Sequence, residues 1–200
     1  MLARSPHLTP EEYLQLETHS LGKHEYFNGD IFAMAGATDA HVTIAGNLFA
    51  ELRSHLRGSG CRVFISDMKA RIDSRNHFFY PDILVTCDPR DREIDTYKRF
   101  PKLIVEVLSK STESFDRGDK FNDYQTLDSL EEYVLINTQH RRVEIFRRHT
   151  DGLWLFQNYD DSETFHLKSI HYTGTFEMLY EDVSLEADDR PEENPLGEAQ

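Results

Sequence analysis

Two hundred residues, 38% hydrophobic and 12% aromatic, suffice for one domain with a real core and exclude a wholly disordered chain. A net charge of −14 opposes contact with nucleic-acid phosphates, and no apolar run reaches the roughly 18 to 20 residues of a membrane helix. The first residues lack the apolar core of a signal peptide, so a cytoplasmic protein is expected, with Cys61 and Cys87 as reduced thiols inside strands.

Thr9-Pro10-Glu11-Glu12 reads as a capped helix start, with Thr at the N-cap, Pro at N1 and Glu at N3, and predicts a short helix to about Leu16. Asn28-Gly29, set between aromatic and apolar stretches within 24–34, predicts a β-hairpin. Thr38 or Asp39 then opens a longer helix. Its stripe of Ala45, Leu48, Phe49, Leu52 and Leu56 has helical spacing, and Gly58 or Gly60 ends it.

From Cys61 the period becomes that of strands, predicted over 62–72, 78–87 and 103–109. The last two are nearly continuous apolar runs, as in strands covered on both faces. Asp67 and Lys69 alternate onto one face and are expected to pair with each other. A helix follows from Asp116 to about Leu127, then a strand over 132–137. More exposed strands are expected over 143–148, 153–159 and near 169–173. Together these predict a mixed α/β architecture, a central sheet flanked by helices, in a single domain over 1–184.

Residues 185–200 are acidic and carry two prolines, and are expected to form a disordered tail. Charge is unevenly placed. Residues 177–200 hold nine acids and one base, whereas 139–149 hold four arginines (Arg141, Arg142, Arg147 and Arg148) against one glutamate. That basic hairpin either tracks phosphates or is a solvated edge strand guarded by charge.

Two of the strand-like segments each carry one carboxylate. Asp82 follows Pro81 in Phe-Phe-Tyr-Pro-Asp-Ile-Leu-Val, and Glu106 lies within Leu-Ile-Val-Glu-Val-Leu-Ser. A carboxylate in an apolar strand is costly unless a cation neutralises it, and two brought together by strand pairing suit a hard divalent cation. Alternation gives Glu106 the face of Ile104 and Leu108. Lys120 shares a helical stripe with Tyr124 and Leu127, so it either aims at the Asp82/Glu106 pair or snorkels to water.

Pro81-Asp82, Glu106 in Val-Glu-Val-Leu-Ser, and Ser111-Thr112, Asp116, Lys120 and Tyr124 together resemble the Uma-two family of restriction-endonuclease-like proteins, within the PD-(D/E)xK nuclease superfamily. The segments from Lys23-His24-Glu25 to His41 and Ser66-Asp67-Met68-Lys69-Ala70-Arg71-Ile72 are similar too, and the likeness spans about residues 9–180. The superfamily motif sets a lysine two residues after the glutamate, where this chain has Leu108. In the resemblance, Lys120 takes that part.

The resemblance implies a restriction-endonuclease-like fold with an N-terminal helix and hairpin and extra C-terminal strands. It implies a homodimer and a Mg²⁺-dependent endonuclease acting on DNA, with Mn²⁺ as a substitute. Asp82, Glu106 and the Val107 carbonyl would hold the metal, and Lys120 would position water or stabilise charge. Glu25 and His41 are further candidates, the latter also readable as a plain cap residue. Two other readings stand beside this one: the same fold kept as a non-enzymatic interaction or dimerisation module, and a phosphodiesterase for something smaller than duplex DNA.

Overall fold

The computed structural model describes residues 7–161 and 163–185. The N-terminal elements follow from local chemistry. Thr9 Oγ1 accepts the Glu12 N–H while Glu12 accepts the Thr9 N–H at 2.7 Å, the reciprocal cap that starts α1 (Pro10–His19), which runs three residues past Leu16. Asn28 and Gly29 both take positive φ, 46° and 110°, and so close the hairpin of β1 (His24–Phe27) and β2 (Asp30–Ala33). Thr38 caps α2 (Asp39–His55), which buries Ile44, Ala45, Leu48 and Leu52.

Two of the predicted strands are each broken in two. The stretch 62–72 becomes β3 (Arg62–Ile65) and β4 (Lys69–Ile72), because Ser66 turns the chain at φ 53°. The stretch 78–87 becomes β5 (His77–Phe79) and β6 (Ile83–Thr86) around Pro81, which has no N–H to give a ladder. The short β7 (Tyr97–Lys98) precedes β8 (Pro101–Leu108). The predicted helix of 116–127 is likewise two, α3 (Glu113–Arg117) and α4 (Asp119–Tyr124), parted where Gly118 leaves helical geometry at φ −109°, ψ −98°. After β9 (Glu132–Asn137) come β10 (Arg142–Arg148), β11 (Trp154–Asp160), β12 (Thr164–Leu167), β13 (Tyr172–Thr175) and the one-turn α5 (Phe176–Leu179). The sequence patterns had not indicated β7 or β12. The expected tail lies outside the described residues beyond Leu185.

Both breaks move the chain between sheets. A six-stranded sheet runs β11-β10-β9-β8-β6-β3, and a five-stranded sheet runs β2-β1-β5-β4-β7. In the larger sheet only β8 and β9 are parallel, and α3 and α4 make the crossover between them. One face of this sheet (Val85, Leu103, Val105, Val107, Val134, Ile136) packs on Ile44, Leu48 and Leu52 of α2 and on the C-terminal Phe165, Phe176 and Leu179. The other face (Leu84, Ile104, Leu108, Leu135) meets Phe121, Tyr124 and Leu127 from the crossover and Ala70, Ile72 and Phe79 from the smaller sheet. Helix α1 covers the far side of that smaller sheet through Tyr13 on Tyr26 and Phe78.

Three expectations need correction here. Cys61 and Cys87 are joined in a disulfide, not reduced. They flank the antiparallel β3–β6 pair, and extending its register (Arg62 opposite Thr86) sets them directly across from each other, with Cα atoms 4.0 Å apart. Asp67 and Lys69 do not pair. Asp67 lies in the bend between β3 and β4, outside the strand that Lys69 begins, and it bonds Lys23 at 2.7 Å while the Lys69 ammonium lies over the Tyr80 ring. The 62–72 and 78–87 stretches are not continuous strands, for the reasons just given. Among the described residues no helix is long and apolar enough to cross a membrane.

Candidate active site

The site forms where the chain crosses between the sheets. Ser66 N–H donates to the Asp82 carbonyl at 2.9 Å, so the two crossing points lie side by side. The β6–β8 register pairs Ile83 with Val105, and its extension sets Asp82 opposite Glu106. The contacts agree with that register. Asp82 Oδ2 accepts the Val107 N–H at 2.7 Å, and the Asp82 N–H approaches Glu106 Oε2 at 3.4 Å. Asp82 thus stands at the sheet end with a side chain 16% exposed, while Glu106 is buried behind it among Ile104 and Leu108.

Lys120 enters from α4 with Tyr124 on the same face, and both are buried. Its Nζ lies 2.9 Å from Glu106 Oε1, 3.3 Å from Glu25 Oε1 and 3.3 Å from Asp116 Oδ1. Glu25 comes from β1, and its Oε1 also accepts the Tyr80 N–H at 3.3 Å. Tyr124 donates its hydroxyl to Glu106 Oε1 at 3.2 Å, and Tyr133 donates to the Asp116 carbonyl at 2.8 Å. His41, near the start of α2, brings Nε2 to 3.2 Å from Asp82 Oδ2. All five side chains singled out from the sequence, Asp82, Glu106, Lys120, Glu25 and His41, therefore meet at one place.

Asp116 joins them without having been assigned a part. The signal was present in its spacing, since Asp116 and Lys120 are four apart and share a face across the α3–α4 junction. Tyr124 was likewise named in the helical stripe and in the family resemblance without a part of its own.

Charge governs the chemistry of this cluster. Burial pushes the Glu106 carboxyl well up, with Asp116 and Asp82 adding to it and Lys120 opposing. Burial alone would lower Lys120, but Glu106, Glu25 and Asp116 outweigh it and hold its ammonium charged well above the ordinary value. Burial likewise would lower His41, and Asp82, Asp116 and the Val107 backbone outweigh it, raising the imidazole above its ordinary value. Burial and the Glu106 charge raise Tyr124, so it stays a neutral donor. Four carboxylates face one lysine and one histidine, an excess of negative charge that a cation would relieve.

The donor set fits a hard cation. Asp82, Glu106 and the Val107 carbonyl offer oxygen only, the ligand type of Mg²⁺, which keeps several waters. Among the described residues, Asp82 engages Oδ2 and Glu106 engages Oε1, while the second oxygen of each meets at most the long Asp82 N–H contact. No group of three or more His, Cys, Asp and Glu side chains among the described residues is disposed to hold a metal unaided. The carbonyl and water are therefore part of the fit.

The four arginines of 141–148 have internal partners. Arg141 pairs with Asp161 at 3.1 Å and Arg142 with Asp160, both across the β10–β11 edge. Arg147 bonds the buried Glu132 at 2.6 Å, and Arg148 donates at 2.8 Å to the carbonyls of Gln125, Leu127 and Leu130 while lying over Trp154.

Comparison with known proteins agrees with this architecture. Residues 10–175 match the family Uma2, described as "Putative restriction endonuclease". The chain is 40% identical over 180 residues to the uncharacterized protein slr1290 of Synechocystis sp., covering 90% of this chain and 95% of that one. A second Synechocystis protein, the uncharacterized sll1609, is 34% identical over 157 residues, with 78% and 89% covered. The crystal structure of a putative nuclease belonging to DUF820 from Anabaena variabilis superposes with a TM-score of 0.70 at 17% identity, covering 86% of this chain and 97% of that one. A mixed sheet flanked by helices, with an acid at each of two paired strands and a lysine on the crossover helix, is thus the restriction-endonuclease-like fold, and the chain belongs to the Uma2 family.

Proposed function

We propose that the protein is a metal-dependent nuclease that hydrolyses phosphodiester bonds in DNA. One observation carries this reading: Asp82, Glu106 and Lys120 converge through contacts of 2.9–3.4 Å where two sheets exchange strands. Mg²⁺, or Mn²⁺ in its place, would be held by Asp82, Glu106 and the Val107 carbonyl. When bound, such an ion supplies a water of lowered pKa and neutralises charge at phosphorus.

The chain's own residues have distinct tasks. The Val107 N–H and His41 fix the rotamer of Asp82, and Tyr124 and Lys120 fix that of Glu106. Lys120 keeps its proton, so it stabilises developing negative charge rather than accepting a proton. Glu25 and Asp116 hold that ammonium in position without touching substrate.

The test is incubation of plasmid and single-stranded DNA with purified protein and Mg²⁺ or Mn²⁺. Slow nicking is expected, and Asp82→Ala, Glu106→Ala and Lys120→Ala should each abolish it. Activity that persists in all three variants would belong to a contaminant. No activity on any substrate would favour the interaction-module reading.

A further inference from the structure

The rim of the site is apolar on one side. Among the described residues Phe32, Met34 and Val42 are exposed large hydrophobics, and all three fall within the eleven residues that lead from β2 into α2. Phe32 is directly opposite Glu25 in the hairpin register, so the two side chains share a face, and Glu25 is the residue that reaches Lys120. The Phe32 ring stands edge-on to Phe27 at 5.0 Å, Phe27 lies 5.1 Å from Phe79, and the Lys120 ammonium lies 5.7 Å from the Phe79 ring. A line of aromatic rings therefore runs from the carboxylate cluster outward and ends on Phe32, which is 56% exposed. Val42 follows His41, the partner of Asp82.

Phe32 on this edge strand presents an open aromatic face beside the residue that holds Lys120. Charge narrows the occupant. With 22 basic against 36 acidic residues, and the four arginines of 141–148 bonded within the fold, the chain has little with which to neutralise a row of duplex phosphates. Stacking of a base on an aromatic ring needs no such charge, and it requires a base that is not already stacked and paired.

We propose that Phe32 is a stacking platform for an unpaired base, and that the substrate class of the site is single-stranded nucleic acid. The inference rests on the nuclease reading above and narrows it. Phe32 would hold the base while the adjoining phosphodiester lies over Asp82 and Glu106. Binding should consequently depend only weakly on salt, because few phosphates are neutralised.

Fluorescence anisotropy with labelled oligothymidylate and a duplex of equal length, in Ca²⁺ buffer, tests this. Wild-type protein should bind the single strand more tightly. Phe32→Ala should weaken that binding roughly tenfold. Phe32→Leu, which keeps apolar bulk without a π-face, should behave like Phe32→Ala, and Phe32→Trp should retain binding. Tighter duplex binding, no oligothymidylate binding, or unchanged binding in Phe32→Ala and Phe32→Leu overturns the proposal. So does sedimentation in which Phe32→Ala only dissolves a dimer, which would assign the rim to a second copy of the chain. The melting shift with Mn²⁺ is read separately in the same variants: its presence beside lost stacking keeps the nuclease reading, and its absence in wild type removes that reading instead.

Discussion

Lys120 Nζ lies 2.9 Å from Glu106 Oε1, and both residues are at most 5% exposed. Removing Lys120 would leave the buried Glu106 carboxylate without its ion-pair partner, whereas Lys120 without Glu106 would still have Glu25 and Asp116. The pair is thus a structural element as well as a chemical one. Its loss should be visible in stability before any assay of activity.

Lys120→Met should destabilise the metal-free protein by about 3–5 kcal/mol, the usual cost of breaking a buried ion pair. The double variant Glu106→Gln/Lys120→Met should recover a large part of that loss. Urea unfolding of the three proteins measures it. Equal stability of the single and double variants would mean that Glu25 and Asp116, and not Glu106, are the partners that matter.

Mg²⁺ or Mn²⁺ should raise the melting temperature, since an ion that binds only the folded state stabilises by mass action. The shift should vanish in Asp82→Ala, whose lost carboxylate is the more exposed of the two proposed ligands. Differential scanning fluorimetry across a metal titration reads it. The same shift in wild type and variant would assign binding elsewhere on this acidic chain.

His41 gives a pH dependence. Its folded pKa is raised above the ordinary 6.5 by Asp82 against the opposing effect of burial. A raised value means that the folded state binds the proton more tightly, so the stabilisation is full below pH 6.5 and is lost as pH rises through the folded pKa. Without divalent ions, His41→Gln should therefore lower the melting temperature most in mildly acidic buffer, and the gap should close above neutrality. A gap that widens with pH would contradict the His41–Asp82 contact.

The Cys61–Cys87 bridge spans 26 residues and ties the edge strand β3 to β6. Reduction should cost about 2–4 kcal/mol, the range for cross-links of this size. Melts with and without a reductant, compared with Cys61→Ser, measure it. Oxidised wild type and Cys61→Ser melting together would show that strand pairing alone fixes this edge.

Local signals in the chain already determined a good deal. The Thr9–Glu12 cap, the Asn28-Gly29 turn and the stripe of α2 each depend on contacts within a few residues, and each formed where the sequence indicated. The convergence of Asp82, Glu106 and Lys120 was legible for a related reason. Burying a carboxylate in an apolar strand demands a partner, and strand alternation with helical spacing restricts where that partner lies. Only the tertiary structure decided that 62–72 and 78–87 each divide between two sheets. The predicted strands run through Ser66 and Pro81, yet each turn frees the next strand to pair elsewhere. That exchange brought Glu25 of the N-terminal hairpin to Lys120 and set Cys61 against Cys87. Such contacts join residues tens of positions apart, and no periodicity in the chain encodes them, because they depend on which strands become neighbours.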